Sequence, residues 1–419
     1  MSGNLKLASA GGGSVTVTTP STASNLTLTL PSATGTVATI AGTETLTNKT
    51  LVASGSNTVE ATSGPTSTQL AGMRNKIING AMMIDQRNAG ASVSTTVTGT
   101  QTYTLDRWAY QCSAASKFTV QQNAGSVTPP AGFTNYLGVT STSAYSAGAS
   151  DYFAVQQRIE GYNLADLSWG TASAATVTLS FWVRSSLTGT FGGSIRNDNG
   201  RYYLFSYTIA SANTWTQITL TITGDTSGTW NSTNGASAQI WFGLGVGSSF
   251  SGSAGAWGTT NLIAPTGAQS VVGTNGATWY VTGVQLEKGA TATPFENRQY
   301  GTELALCMRY YEKSYNVGAA PGSSTAVGFL STGSVSDGSN NAKTPVRFAV
   351  AKRAAPTVTG YKYDTGASGS WDYARSGASG AASPSFDTIG ENGCRVNMLV
   401  GAAWAACTFE GQWTASAEL

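Results

Sequence analysis

Between residues 177 and 184 the chain alternates without a break, Val177, Leu179, Phe181 and Val183 against Thr178, Ser180, Trp182 and Arg184. A period of two puts the first set on one face of a strand and the second on the other. The same period recurs at Ile218, Leu220 and Ile222, at Ile240, Phe242, Leu244 and Val246, and from Trp279 to Leu286. Turn-forming residues separate these runs, as at 197–200 and 224–228. Repeated short strands of this kind predict a β-sandwich over residues 73–298. Upstream, residues 14–18 and 25–30 alternate more briefly, interrupted by Gly11–Gly13, Pro20 and Pro31. Downstream, a single helical pattern covers residues 299–315. Leu304, Cys307, Met308 and Tyr311 make its apolar stripe and Arg309, Glu312 and Lys313 its outward face. Strand texture then returns through Phe348, Val350, Val358, Tyr361, Tyr363, Val396, Met398, Val400, Phe409 and Trp413, which predicts a second β domain.

Composition narrows the class. Only 10% of residues are charged, and Thr, Ser, Gly and Asn take their place. Aromatic residues at 10%, with 11 Trp, are too many for a disordered chain. A net charge of +2 with no basic cluster argues against nucleic acid. No apolar run approaches the ~20 residues of a membrane span, and residues 1–6 lack the basic-then-apolar pattern of a signal peptide. Without histidine, His-based triads and His–metal sites are excluded. Cys112, Cys307, Cys394 and Cys407 match no zinc or redox spacing. Buried thiols are expected, although some turn registers around Gly401 bring Cys394 and Cys407 opposite each other.

Residues 1–72 carry only Lys6, Glu44, Lys49 and Glu60 as charges and few large side chains. A segment this poor in apolar bulk cannot bury enough surface alone, so it needs copies of itself or a docking protein.

The phrase Leu46-Thr47-Asn48-Lys49-Thr50-Leu51 resembles a short motif of bacteriophage tail-fibre shafts. Residues 73–298 resemble the jelly rolls of carbohydrate-binding modules and their phage relatives. The carriers are Ile77-Ile78-Asn79-Gly80, Leu105-Asp106-Arg107-Trp108, the strand 179–184, and Val284-Gln285-Leu286-Glu287-Lys288-Gly289 ending in Thr293-Pro294-Phe295-Glu296. The resemblance implies an all-β homotrimer: a virion-attachment segment at 1–45, a shaft at 46–72, a carbohydrate-binding-like jelly roll at 73–298, and a helix with a distal receptor-binding β-sandwich at 299–419. It further implies a tail-borne, non-enzymatic protein that docks a tail or baseplate protein through its N-terminus and holds bacterial surface polysaccharide, with no membrane insertion. No catalytic residue or cofactor is expected. A structural Ca²⁺ held by Asp85, Asp106 and Glu296 is compatible with the resemblance, but no ligand spacing is diagnostic.

Two stretches carry candidate glycan chemistry. Tyr361-Lys362-Tyr363-Asp364 and Trp371-Asp372-Tyr373 flank a Gly/Ser loop and offer rings for sugar C–H faces and carboxylates for hydroxyls. The alternative is that Tyr361, Tyr363, Trp371 and Tyr373 are cross-strand pairs filling a small sheet. Trp230 and Trp257, in Gly/Ser/Asn-rich stretches, are a second candidate platform with Trp182 and Trp215; core packing is the other reading of each. The rival function is a tailspike-like glycosidase using Asp364, Asp372, Asp387 or Glu391. A capsid decoration fibre is a third possibility.

Overall fold

A computed structural model describes residues 5–8, 14–17, 73–334, 341–375, 378–399 and 407–419. The chain divides into two compact units, Met1–Ala61 and Thr62–Leu419. In the first, Leu5–Ala8 pairs antiparallel with Ser14–Val17, inside the first alternating run. The second run and the shaft motif lie outside the described residues.

In the second unit the expected sandwich is present. A seven-stranded antiparallel sheet runs in the order Trp257–Gly258, Tyr202–Ile209, Gly189–Arg196, Ala236–Val246, Tyr152–Glu160, Trp108–Cys112, Thr102–Tyr103. A six-stranded sheet runs Thr216–Ile222, Val177–Ser185, Thr278–Lys288, Leu137–Ser141, Phe118–Gln122, Val93–Ser94. The chain crosses repeatedly between the sheets, as a jelly roll does. Inward residues of both fill one core, with Trp108, Phe118, Phe153, Phe181, Phe242 and Trp279 fully buried. The two buried indoles keep their N–H groups satisfied. Trp108 donates to the Asn79 carbonyl at 3.1 Å and Trp279 to the Tyr207 hydroxyl at 3.0 Å.

The motif residues 105–108 are positioned by polar burial. Asp106 is fully buried and accepts from the Gln86 backbone N–H at 2.7 Å and its amide at 2.8 Å. Burial pushes its carboxyl up to about 6, against the pull of Arg87. Arg107, also buried, pairs with Glu418 and lies under the Tyr310 ring at 3.6 Å.

The expected helix is shorter than its pattern. It spans Tyr300–Met308, and Tyr311–Lys313 is a strand paired with Thr414–Ser416. Leu304 and Cys307 do face the apolar cluster of Ile78, Ile84 and Tyr310. Beyond them Tyr310, Tyr311, Glu312 and Lys313 are all buried, a two-sided burial that a strand supports and an amphipathic helix does not. Glu312 and Lys313 are therefore not outward-facing. Glu312 pairs with the fully buried Lys352 at 2.5 Å, and Lys313 donates to the carbonyls of Gln86, Val317 and Ala319. Arg309 forks onto buried Glu160 at 2.6 and 2.9 Å.

The C-terminal part is a second sandwich. Its long strand Cys407–Ser416 lies between Tyr311–Lys313 and Thr357–Tyr361 over one half and between Leu330–Ser334 and Trp371–Arg375 over the other. A three-stranded sheet, Asn341–Arg347, Gly393–Leu399, Ser385–Gly390, closes the core over Trp371, Val396, Met398 and Phe409. Cys394 and Cys407 belong to this core, on strands that do not pair, and all four cysteines are buried thiols.

Candidate functional site

The loop between Thr357–Tyr361 and Trp371–Arg375 is shaped by glycine. Gly366 and Gly369 have φ of 74° and 75°, and Gly369 N–H returns to the Gly360 carbonyl at 2.8 Å. Strand alternation then sorts the candidate residues. Trp371, expected at the loop mouth, is instead wholly buried. Its N–H donates to the Gln412 carbonyl at 2.8 Å, and the ring presses on Gly360 and Gly411, where a Cβ would meet it at 2.8 and 2.3 Å. Tyr373, two residues on, points the same way and packs on that core. Tyr361 lies against Tyr315, ring centres 6.1 Å apart. Tyr361, opposite Gln412, thus lies on the other face of the sheet, while Trp371 and Tyr373 belong to the sandwich core.

Tyr363, Asp364 and Asp372 come together outside it. Tyr363 stacks on Phe329 at 5.0 Å, both rings half-buried. Lys362 joins Asp364 to Asp372, the latter at 3.1 Å, and holds the Asp364 carboxyl below its ordinary range. Asp372 faces Glu410 across the strand pair, and Glu410 accepts from the Ser331 hydroxyl at 3.2 Å. The nearby Glu410 charge raises the Tyr363 phenol. The patch thus offers a ring pair, one ammonium and three carboxylates at the surface. Asp387 and Glu391 do not join it. Asp387 projects from the opposite sheet and is kept below its ordinary range by Arg395.

Trp230 and Trp257 also meet, 5.6 Å apart, but with a partner that the pattern did not reveal. Trp169 stands edge-on to both, at 4.8 and 5.4 Å, and Tyr203 adds a fourth ring. The three indole N–H groups are bound to the carbonyls of Ala175, Ser227 and Thr223, and Trp230 also reaches Asp225. This cluster closes the side of the sandwich where the outer strands of the two sheets meet. Trp182 and Trp215 are elsewhere, on the outer face of the six-stranded sheet, where Trp215 packs on Tyr136. The four tryptophans form no common platform.

Sequence reasoning missed a polar row on the outer face of the seven-stranded sheet. Gln156 donates to Gln111 at 3.0 Å, Trp241 donates to Gln239 at 2.8 Å, and Arg158 forks onto Asp198 at 3.2 and 3.3 Å. Arg196 covers the Trp241 ring at 4.7 Å, and burial lowers its guanidinium to about 10. Gln156 Oε1, Ser194 Oγ and the Nε atoms of Arg158 and Arg196 have no partner among the described residues. The available signal was large polar side chains at outward positions of adjacent strands, which shows only once strand order is known.

Asp85, Asp106 and Glu296, the carboxylates compatible with a structural Ca²⁺, are engaged within the protein. Each accepts from protein N–H groups, and among the described residues no three acidic or thiol ligands converge.

No family model and no curated protein matches the chain. Similar solved structures include the enzymatically active domain of bacteriophage CBA120 tailspike protein 4, at 13% identity and TM-score 0.30 over 52% of this chain and 22% of that one. The N-terminal cellulose-binding domain of Cellulomonas fimi β-1,4-glucanase C is 17% identical at TM-score 0.24, over 38% of this chain and 82% of that one. The family 11 carbohydrate-binding module of Clostridium thermocellum is 13% identical at TM-score 0.24, over 48% and 97%.

Proposed function

We propose that this chain is a non-catalytic, glycan-binding fibre subunit of a bacteriophage virion, trimeric through its N-terminal segment and attached there to a tail or baseplate protein. The observation that carries the reading is the surface stack of Tyr363 on Phe329 beside Lys362, Asp364, Asp372 and Glu410. Aromatic faces bind sugar C–H groups and carboxylates accept sugar hydroxyls. Such a shallow patch binds weakly, and three copies on one axis multiply weak contacts through effective concentration. A glycosidase needs one carboxyl kept protonated near neutral pH. Asp364 and Asp387 are held in the opposite direction by their cations.

The test is retention on host surface polysaccharide, with release of reducing ends assayed in parallel. Tyr363→Ala should abolish retention, and no reducing ends should appear. Reducing ends lost on Asp372→Asn would establish the hydrolase, for which the facing Asp372 and Glu410 are the pair to suspect. Light scattering should return three times the chain mass; a monomer overturns the trimeric reading.

A further inference from the structure

The outer face of the three-stranded sheet in the C-terminal sandwich gathers cations in a chain that has few. On Asn341–Arg347, Thr344 and Val346 are buried, so Lys343, Pro345 and Arg347 point outward and are exposed. Pro345 lies opposite Arg395, and Arg347 opposite Gly393, on Gly393–Leu399. These residues and the turn 388–392 line an open groove of about 400 Å³. Gly393, opposite Arg347, adds no side chain to the groove. Arg347 has no carboxylate partner among the described residues. Arg395 is held by Asp387 through Nε and Nη2, at 2.7 and 2.9 Å, which fixes its plane and leaves Nη1 for another acceptor.

The groove rim is strained. The pairing of Ser385–Gly390 with Gly393–Leu399 slips between Asp387 and Gly390. Thr388, within the slip, has φ of 47°, a left-handed conformation that a β-branched residue adopts only at a cost. Strain of this kind is retained where it shapes a site.

We infer that this groove binds the anionic group of an acidic saccharide, a uronate carboxylate or a sugar phosphate, with Arg347 as principal cation and Lys343 and Arg395 beside it. The inference rests on the glycan-binding reading and gives a ligand class to a second face of the same sandwich. A guanidinium meets a carboxylate or phosphate as a two-pronged donor, which an ammonium cannot reproduce. Glu391 also lines the groove, and Asp387 is neutralised by its fork with Arg395.

Titration calorimetry on the full chain tests this with three probes: tetragalacturonate, its methyl ester, and glucose 6-phosphate. At least one anionic probe should bind more tightly than the ester, and which one identifies the source of the charge. That binding should weaken between roughly 50 and 200 mM salt. Arg347→Ala should weaken it about tenfold and Arg347→Lys less, with unchanged melting of both variants, while Tyr363→Ala leaves it intact. An ester that binds as tightly as both anionic probes, no binding of either anionic probe, or insensitivity to Arg347→Ala overturns the inference. Loss of host-polysaccharide retention in Tyr363→Ala would still uphold the broader reading. If the wild type retains no polysaccharide and binds none of the probes, both fall.

Discussion

Tyr363 and Trp371 stand at the two ends of one loop and meet opposite environments. Both are aromatics beside Asp or Lys in a Gly/Ser-rich stretch, so local sequence cannot separate them. What separates them is Gly360 and Gly411, whose bare backbones make the slot that Trp371 fills. Trp371→Ala should therefore cost about 3–5 kcal/mol in denaturant unfolding. Tyr363→Ala should stay within about 0.5–1 kcal/mol of wild type while losing glycan. A stability loss at Tyr363 as large as that at Trp371 would make both residues core. Asp106 gives a second test at this scale. Its folded pKa of about 6 lies above the ordinary 3.8, so the folded state binds the proton more tightly than the unfolded state does. The contribution of this carboxyl to stability is thus greatest below pH ~4 and declines as pH rises towards ~6, by up to about 3 kcal/mol. The melting temperature of wild type relative to Asp106→Asn should fall across that window; a rise would contradict a buried, protonated Asp106.

Strands of the jelly roll were legible because apolar side chains recur at every second position in each, so a period of two is written in its own residues even where both faces are buried. Val177–Ser185, Thr216–Ile222, Ala236–Val246 and Thr278–Lys288 all lie where the alternation put them. The stretch after Met308 was not legible for the converse reason. Its four consecutive buried residues are specified by distant partners: Glu160 for Tyr310, Arg87 and Ser416 for Tyr311, Lys352 for Glu312 and Gln86 for Lys313. No local period records these. The polar row on the seven-stranded sheet was hidden for the same reason, since its members come from strands distant in sequence. The strand assignment makes Glu312 a structural residue. Its carboxylate holds the Lys352 ammonium and the Ala349 N–H, at 2.5 and 2.8 Å. Glu312→Ala strands a fully buried ammonium and should cost about 3–5 kcal/mol in urea unfolding. On an outward helix face the same change would be near neutral.

At the scale of the molecule, the two sandwiches of Thr62–Leu419 are joined by charge as well as by apolar contact. Arg87 and Arg107, both from the jelly roll, converge on Glu418, which follows the central strand of the C-terminal sandwich. The neighbouring backbone is tied on both sides. Ala417 N–H donates to the Tyr310 carbonyl at 2.7 Å, Arg353 binds the Ala417 and Glu418 carbonyls at 2.5 Å, and Tyr103 reaches the Leu419 carbonyl at 3.1 Å. Glu160, at the end of a jelly-roll strand, holds Arg309 and Tyr310 in the reverse direction. Opening this interface would break these ion pairs and backbone hydrogen bonds together, which couples the two sandwiches. Calorimetry of the chain should accordingly show one cooperative transition for both sandwiches. Glu418→Ala leaves two buried guanidinium groups without their carboxylate and should lower that transition as a whole. Should Glu418→Ala instead split the melt, with the jelly roll unfolding at its original temperature and the C-terminal sandwich below it, the ions would be fastening two independent domains rather than completing one.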